Sequence, residues 1–553
     1  MVQVATMTAA QFVVRCLEHE GVRYVFGIPG EENIHLVDAF NGSSLRFLLV
    51  RHEQGASFMA NIYGRLTGQA GVCLATLGPG AINLLLGTTD ATTDSVPLVA
   101  LSAQVGINRI YKESHQIVDL VSMFKPATKW AALVPSPEAI PEMVRSAFKL
   151  AQTERPGAVY LAIPQDIEAL PMPPGAQPLA INVVRDASPS ATQIARAGEV
   201  LRAARKPIIL AGHGAVRNQA RDALIRCSER LQIPVATTFM GKGVFPDHHP
   251  NALGAMGFMR HDYVNFGFDE ADVLVCVGYD LQEFDPVQIN PNGEKQILHI
   301  HRYPAQVDAH YPVAVGLEGN IAQSLDALTQ EVKARPGLTP TERKIRRLLH
   351  EELEKGKNDR SYPVKPQRLV ADIRAAMGES DIVLADTGAL KMWMARLYPT
   401  YQPNTCLISN GLSTMAFALP GAIGARLAEP ARKVLAVMGD GAFLMNSQEI
   451  ETAMREQIPF VVLVWVDGTY GLIKWKMDLE LGHDSHIAFG NPDLVKYAES
   501  FGAKGYWIGR AEDLLPTLQR ALSEETVSII ACPVDYAENT ILTDKLGALT
   551  EPL

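Results

Sequence analysis

Runs of consecutive hydrophobic residues recur along the whole chain and alternate with segments of helical periodicity. Consecutive rather than alternating hydrophobic positions predict strands that are covered on both faces, as in parallel sheets packed between helices. We therefore expect an α/β fold with doubly wound parallel sheets. The runs that predict strands are YVFGIPG, RFLLV, GVCLATLG, VPLVALSA, AVYLAIP, KPIILAGHG, IPVATT, ADVLVCVG, QILHI, DIVLADTG, TCLISNG, KVLAVMGDG, FVVLVWVDG and VSIIACPVD.

Two stretches that lack this alternation divide the chain. One is the proline-rich LPMPPGAQP at 170–178, and the other is a highly charged helical stretch at 341–366. A chain of 553 residues is also too long for one hydrophobic core. The sequence predicts three α/β domains, at 1–175, 190–340 and 360–553.

The two outer predicted domains share a plan. In each, a strand leads to a helix rich in glycine and alanine, then to a second strand, a glycine turn and a third strand. This similarity hints at a duplication and raises the chance that one site lies between the two domains. The strands concerned are 46–50, 71–76 and 96–102 in the first domain, and 405–409, 434–438 and 460–466 in the third.

Composition excludes several classes of function. A net charge of -10 and the absence of a basic run argue against a nucleic-acid surface. No apolar stretch reaches the roughly 18 residues that a membrane span needs. The six cysteines are scattered without a CxxC pair, which fits a reducing compartment. The N-terminal segment predicts a first helix rather than a signal peptide, so we expect a cytoplasmic protein.

The most informative local pattern is AVMGDGAFLMNSQE. It predicts a strand that ends near Met438, a turn Gly439-Asp440-Gly441, and a helix that begins at about Phe443. Glycines let backbone N–H groups approach a phosphate, and a helix N-terminus favours an anion. An acid in the middle of such a turn has two explanations: Asp440 caps the helix, or it binds a divalent cation that bridges to a phosphate.

A second acid favours the cation. Asp467 follows the next hydrophobic run, 27 residues after Asp440, a distance that accommodates one helix and one strand. The two acids are therefore expected side by side at the edge where α/β sheets bind ligands. Two adjacent carboxylates repel each other unless a cation lies between them. The pair predicts a Mg²⁺–diphosphate site rather than two helix caps.

A third acid, Glu53, lies where a predicted strand ends and a helix of small residues begins, in RHEQGASFMANIYGRLTG. Most glutamates are simply solvated. The position of Glu53 in the sequence does not by itself distinguish a solvated side chain from a functional one.

The GDG turn followed by a strand-end acid resembles the thiamin diphosphate (ThDP) enzymes. Further segments resemble the acetolactate synthase family over nearly the whole length: GIPGEEN at 27–33, the Glu53 segment, LGPGAINLLLGTTDATTDSVPLVALSAQ, SHQIVDLVSMFKPATKW and SNGLSTMAFALPGAIGARL. The resemblance implies pyrimidine-binding, central and diphosphate-binding domains. It also implies ThDP, Mg²⁺, a 2-oxo acid substrate, and a homodimer or homotetramer with active sites at the subunit interface.

The resemblance assigns roles to individual residues. Glu53 hydrogen-bonds the aminopyrimidine ring and takes part in the proton transfer that activates the cofactor, while Gln116 faces the reacting centre and Gly30 lies near the thiazolium. Met415 supports the bent cofactor. Asp440, Asp467 and the backbone carbonyl of Thr469 bind Mg²⁺. The remaining residues implied in cofactor binding are Gly388, Ala389, Leu390, Ser413, Gly441, Ala442, Tyr470, Gly471 and Leu472.

Three departures from the family pattern matter. Val466-Asp467 replaces the usual pair of asparagines, as in the catabolic acetolactate synthases, and Leu390 stands where many relatives have histidine. The biosynthetic branch binds FAD in the central domain beside a basic residue. This chain instead has Asp280, Glu283 and Asp285 there, which makes FAD binding unlikely.

The resemblance implies a carboligase that condenses two pyruvate molecules to 2-acetolactate with release of CO₂. A ThDP-dependent 2-oxo acid decarboxylase, or a carboligase with a different acceptor, remains the alternative. A non-catalytic relative is disfavoured because Glu53, Asp440 and Asp467 are all present.

Overall fold

The computed structural model describes residues 7–182, 186–256, 262–333 and 337–539. Its strands form three six-stranded sheets in which every paired strand is parallel. Helices flank each sheet, which confirms the predicted α/β fold.

The strands, in chain order, are as follows. The first sheet contains β1 Tyr24–Gly27, β2 Arg46–Leu49, β3 Gly71–Ala75, β4 Leu98–Gln104, β5 Trp130–Leu133 and β6 Ala158–Pro164. The second contains β7 Pro207–Ala211, β8 Val235–Thr237, β9 Ala252–Ala255, β10 Val273–Val277, β11 Gln296–His301 and β12 Val313–Glu318. The third contains β13 Ile382–Ala385, β14 Cys406–Ile408, β15 Val434–Gly439, β16 Val461–Val466, β17 Lys504–Trp507 and β18 Ser528–Pro533.

The helices accompany the sheets. With the first sheet come α1 Ala9–His19, α2 Ile34–Ala39, α3 Glu53–Thr67, α4 Pro79–Asn83, α5 Leu85–Thr93, α6 Leu120–Phe124, α7 Ile140–Gln152 and α8 Gln165–Glu168. Next are α9 Ala191–Ala203, α10 His213–Arg217, α11 Arg221–Leu231, α12 Tyr263–Glu270, α13 Ile321–Glu331 and α14 Pro340–Lys357. The last are α15 Pro366–Ala376, α16 Ala389–Leu397, α17 Ala418–Ala428, α18 Asp440–Asn446, α19 Glu449–Arg455, α20 Gly471–Leu481, α21 Leu494–Ser500 and α22 Leu514–Ser523. Short 3₁₀ helices cover Glu31–Asn33, Lys125–Ala127, Pro137–Ala139, Pro286–Gln288 and Ala511–Asp513.

The first and third sheets have the same topology. Their strand orders, β2-β1-β3-β4-β6-β5 and β14-β13-β15-β16-β18-β17, correspond position by position. The second sheet differs, with the order β9-β8-β7-β10-β11-β12. This is the 3-2-1-4-5-6 arrangement of dinucleotide-binding folds.

Four strands were not predicted from the sequence, and all four lie at sheet edges: β5, β9, β12 and β17. An edge strand has a neighbour on one side only and more often exposes side chains. In β12 and β17 most residues are exposed or half-buried. Their sequences therefore lack the continuous hydrophobic run that identified the interior strands.

The described chain forms two compact units. The first unit contains the described residues of 1–184 together with 411–431 and 446–458; the second contains those of 185–410, 432–445 and 459–553. The domain boundaries at 1–175, 190–340 and 360–553 stay a prediction. Each unit is described separately below.

Within the first unit, small residues allow two helices to pack closely. Helix α3 is almost entirely buried and ends at Gly68, whose φ of 71° forms a left-handed C-cap. Helix α17 approaches it so closely that a side chain at Gly424 would lie 2.3 Å from the carbonyl oxygen of Met59. The glycine- and alanine-rich composition of both segments follows from this contact.

No helix in the described ranges combines the length and the apolar character needed to cross a membrane.

Candidate active site

Glu53 begins helix α3, directly after strand β2, in the first unit. Its side chain is 8% exposed. One carboxylate oxygen, Oε2, accepts a hydrogen bond from Asn83 Nδ2 at 3.0 Å. Glu53 is thus a buried acid with a fixed orientation, and the explanation that it is merely solvated is wrong.

The turn after strand β3 brings the other predicted residues of this unit towards Glu53. A side chain at Gly80 would lie 3.1 Å from Glu53 Oε1, and one at Gly78 would lie 2.9 Å from the carbonyl oxygen of Gln116. On another side of the turn, a side chain at Gly30 would lie 2.4 Å from that of Thr76. Glu53, Gln116 and Gly30 therefore surround one glycine turn at the carboxyl end of a strand.

Gln116 adopts an uncommon backbone conformation, with a φ of 57°. Residues other than glycine rarely occupy this left-handed region, and such residues are frequent at functional sites. Its side chain is exposed. The role of Gln116 at the reacting centre stays a prediction.

A second buried acid, Glu449 of helix α19, holds the segment that leads into Glu53. Its carboxylate accepts hydrogen bonds from the backbone N–H of Arg51 at 3.1 Å and of His52 at 2.9 Å. Burial raises the pKa of Glu449 to about 7. Sequence patterns do not predict a role for Glu449 or Asn83, because neither residue belongs to a recognisable spacing, although each lies in a segment of the family pattern given above.

The loop that contains Ser413 and Met415 lies along a different part of helix α3. Gly411 N–H donates to Asp94 Oδ1 at 2.6 Å, and Asp94 lies 3.9 Å from Arg65. Arg65 is twelve residues after Glu53, or about 18 Å along the helix axis at ~1.5 Å per residue.

A second contact of this loop also lies far along helix α3 from Glu53. Thr414 lies beside Asp90, which pairs with Asn61, about 12 Å along the helix from Glu53. The structure thus does not bring Met415 to Glu53 within one chain. Ser413 and Ala416, on either side of the half-buried Met415, both have positive φ values, 55° and 69°.

In the second unit, the glycine turn lies where strand β15 meets helix α18. This helix begins at Asp440, so the prediction that it begins at about Phe443 is wrong. Asp440 is 1% exposed. Its Oδ2 atom accepts hydrogen bonds from the backbone N–H of Gly468 at 2.8 Å and from Asn491 Nδ2 at 2.7 Å. Asp440 is tied to the loop that follows strand β16.

Asp467 lies at the end of β16, which pairs with β15. Its backbone N–H donates to Asp440 Oδ2 at 3.2 Å, and its carboxylate accepts a hydrogen bond from the Thr469 hydroxyl at 2.7 Å. Burial and the charge of Asp440 raise the pKa of Asp467 to about 6. The buried Asp440 and the half-buried Asp467 face each other, and each carboxylate opposes ionisation of the other.

The donor set fits Mg²⁺. Besides the two carboxylates, the Asn491 Oδ1 atom is buried, and within the described part of the chain it has no hydrogen-bond partner. Mg²⁺ prefers oxygen ligands, and one or two carboxylates are its usual protein partners. No group of three or more His, Cys, Asp or Glu that could hold a metal occurs among the described residues. Binding of Mg²⁺ therefore depends on amide and carbonyl oxygens as well as on the two carboxylates. The Thr469 carbonyl stays a prediction as a ligand, and Asn491 is a candidate that the sequence did not predict.

The remaining predicted residues of this unit surround the same strand ends. Gly388 precedes helix α16 with a φ of 145°, and a side chain there would meet open space. A side chain at Gly441 would lie 3.0 Å from the Tyr470 ring, and one at Gly471 would lie 2.8 Å from Asp467 Oδ2. Ala389, Leu390 and Ala442 are buried, and the half-buried Leu472 packs against the core. Two helix N-termini beside glycines suit a diphosphate.

The acidic residues that follow strand β10 of the second sheet form hydrogen bonds within the protein. The Glu283 carboxylate accepts the backbone N–H of His213, in the turn after β7, at 3.0 Å, and that of Asp280 at 3.1 Å. In a fold of this strand order, the turn after the first strand is where a dinucleotide diphosphate binds. Burial and Asp280 raise the pKa of Glu283 to about 7. Glu283 thus occupies one hydrogen-bond donor of this turn, the His213 N–H.

Comparisons with known proteins agree with this geometry. Three domain families match in order along the chain: the N-terminal TPP-binding domain of thiamine pyrophosphate enzymes at 7–123, their central domain at 194–328, and their C-terminal TPP-binding domain at 386–532.

Full-length relatives are similar over almost the whole chain. An acetolactate synthase of Bacillus subtilis is 35% identical over 97% of this chain and 95% of its own length. A catabolic acetolactate synthase of Raoultella terrigena is 35% identical over 97% of both chains. A probable acetolactate synthase large subunit of Methanocaldococcus jannaschii is 35% identical over 98% of this chain and 95% of its own. The chain belongs to the acetolactate synthase family of thiamine pyrophosphate enzymes.

Proposed function

We propose that the protein is a ThDP- and Mg²⁺-dependent carboligase that condenses two pyruvate molecules to 2-acetolactate and releases CO₂. The observation that carries the proposal is the facing pair Asp440 and Asp467 beside a glycine turn, in a chain 35% identical to acetolactate synthases. The pair calls for a cation, and the turn suits the diphosphate that such a cation would bridge. We further propose a cytoplasmic location and no nucleic-acid or membrane partner.

Bound ThDP would supply the electron sink for decarboxylation and carbon–carbon bond formation. Glu53 would hold and release a proton at its carboxyl group, kept in place by Asn83 and by the backbone that Glu449 fixes. Gln116 would orient the substrate from the turn after β3, and Gly30, whose close approach to Thr76 leaves no space for a side chain, would lie near the thiazolium ring.

Residues of the second unit would hold the other end of the cofactor. Asp440, Asp467 and the Thr469 carbonyl would bind Mg²⁺, with Asn491 as a further oxygen ligand. Gly388 and Gly441 would let the backbone approach the diphosphate. The other residues proposed to lie around the diphosphate are Ala389, Leu390, Ala442, Tyr470, Gly471 and Leu472.

We also propose that one complete site needs two chains. Ser413 and Met415 are expected at the cofactor, yet their loop lies about 12–18 Å along helix α3 from Glu53 of the same chain. A second copy can supply the missing loop. The proposed assembly is a homodimer or homotetramer with active sites at the subunit interface.

Product analysis with pyruvate as the sole substrate tests the proposed reaction. A carboligase is expected to release one CO₂ for every two pyruvates and to accumulate 2-acetolactate. The alternative is a decarboxylase, which needs a proton donor beside the reacting carbon and often uses adjacent histidines.

Near Glu53 and Gln116 the sequence offers only His52 and His115, neither of which has a histidine neighbour in the chain. His52 accepts the Gln54 N–H as a helix cap. Acetaldehyde as the main product, with one CO₂ per pyruvate, would favour the decarboxylase.

We expect FAD not to contribute to activity. Glu283 already accepts the N–H group at the turn after β7, and its carboxylate would oppose a flavin diphosphate. The purified enzyme should lack the visible absorbance of flavin, and added FAD should leave turnover unchanged. A yellow protein that loses activity when the flavin is removed would contradict this.

A further inference from the structure

A cavity of about 770 Å³ lies in the second unit beside the edge strand β9. Residues of helices α14 and α15, the end of α16 and two connecting loops complete its wall. None of the residues assigned above to ThDP, Mg²⁺ or substrate lines it.

The wall is strongly basic although the chain carries a net charge of -10. Seven lysine and arginine side chains line the cavity, against two carboxylates, Asp247 and Glu354. Ion pairs account for some of these cations: Arg396 binds Asp262 and Glu352 at 2.9 and 2.7 Å, and Lys357 pairs with Glu354. Arg347 and Lys242 have more distant carboxylates, at 3.5 and 4.0 Å.

Three guanidinium groups of the wall have no carboxylate within ion-pair distance among the described residues: Arg343, Arg346 and Arg374. Arg346 is half-buried, and burial lowers its pKa. A cation that is partly withdrawn from water without a counter-charge is unfavourable. Arg343 is exposed, and an anion that reached the half-buried Arg346 would be stabilised.

Arg374 is held in a fixed orientation. Its guanidinium donates to the carbonyl oxygens of Met377 and Gly378, at 2.6 Å each, and lies 4.9 Å from the centre of the Tyr398 ring. The Tyr398 hydroxyl is buried and has no hydrogen-bond partner among the described residues. An unsatisfied buried hydroxyl costs free energy, so a ligand or a water molecule that reached it would be stabilised.

The cavity also has an apolar side. Leu253, Leu349 and Leu353 line it, and the Tyr401 ring lies 5.1 Å from that of His248. A volume of about 770 Å³ is in the range of small-molecule sites, about 300–1,000 Å³. Inorganic phosphate would leave most of this volume empty. The cavity suits an anion that is attached to a larger apolar or aromatic body.

We propose that this cavity binds a phosphorylated small molecule of nucleotide size. Its phosphate contacts Arg343 and Arg346, since guanidinium groups match phosphate oxygens in pairs. Its apolar or aromatic body lies against the leucines and Tyr401.

Calorimetric titration of ADP into the holoenzyme, saturated with ThDP and Mg²⁺, tests the proposal. We expect saturable binding that weakens at least about tenfold in the double variant Arg343→Gln/Arg346→Gln, because two charge-assisted contacts are lost. The matched control is Lys344→Gln/Lys355→Gln, which removes two charges from the same helix outside the cavity wall and should leave ADP affinity unchanged. Adenosine, which lacks the phosphates, should bind at least about tenfold more weakly than ADP.

Three results would overturn the proposal: no saturable ADP binding, equal weakening by the two variant pairs, or adenosine binding as tight as that of ADP. The wall could instead face a second copy of the chain. In that case ADP would not bind, and the arginine pair but not the lysine pair would change the oligomeric state measured by analytical ultracentrifugation. That result, too, would overturn the proposal.

Discussion

Replacement of Glu53 by glutamine is expected to lower turnover by about 10²- to 10⁴-fold, the usual contribution of a general acid–base group. Glutamine keeps the shape of the side chain and can still accept a hydrogen bond from Asn83, but it cannot exchange a proton in the same way. Affinity for ThDP should therefore change little.

Steady-state kinetics at saturating ThDP and pyruvate, together with calorimetric ThDP titration, would separate these effects. Glu32→Gln is the matched control, since Glu32 accepts a hydrogen bond from Thr76 near the same turn but has no assigned proton. This control should keep most of its activity. Near-normal turnover in Glu53→Gln would remove Glu53 from the catalytic role.

Replacement of Asp440 by alanine should weaken Mg²⁺-dependent ThDP binding by more than about 100-fold. Side chains that only orient a metal ligand already contribute about 10- to 100-fold to metal affinity or activity, and a direct ligand should contribute more. Without the cation, the diphosphate would also face the Asp467 carboxylate directly.

Calorimetric titration of ThDP with and without Mg²⁺ measures this loss. Asp440 also accepts backbone hydrogen bonds, so thermal unfolding without ligands must show that the variant folds. Asp440→Asn keeps one oxygen and is expected to bind ThDP with intermediate affinity. The control Asp478→Ala removes an acid that pairs with Lys474 on helix α20 and should bind ThDP normally. Unchanged ThDP affinity in Asp440→Ala would refute the metal site.

The interior of the fold could be predicted from the sequence because burial on both faces leaves a continuous hydrophobic run. The edge strands could not, since β17 exposes Lys504 and Trp507 and β12 exposes Val313. The sequence pattern predicts the start of helix α18 three residues late, because glycine is typical of a turn. In the structure Gly441 lies inside the first helical turn.

Part of the candidate site was also predictable. Asp440 and Asp467 each follow a buried strand, and consecutive parallel strands that pair bring such residues together. Asn83, Glu449 and Asn491 were not predicted, because their roles come from contacts across 30, 397 and 51 residues. Neither hydrophobic periodicity nor a short motif in the sequence indicates contacts between residues so far apart in the chain. The separation between the Met415 loop and Glu53 of the same chain could likewise not be predicted from the sequence.

We expect the Glu53 cluster of one chain and the Asp440 cluster of another to form one active site. Mixing Glu53→Gln subunits with Asp440→Ala subunits tests it most directly. Each variant alone should be nearly inactive. A mixed dimer would contain one site with both native residues and one site with neither, so random exchange should restore about a quarter of the wild-type activity.

Subunit exchange must be verified independently, for example by differential tagging and co-purification of the two variants. A site shared between two chains predicts that activity then rises in proportion to the fraction of mixed dimers. Confirmed exchange with no recovery of activity would contradict it and would show that each site is completed within a single chain.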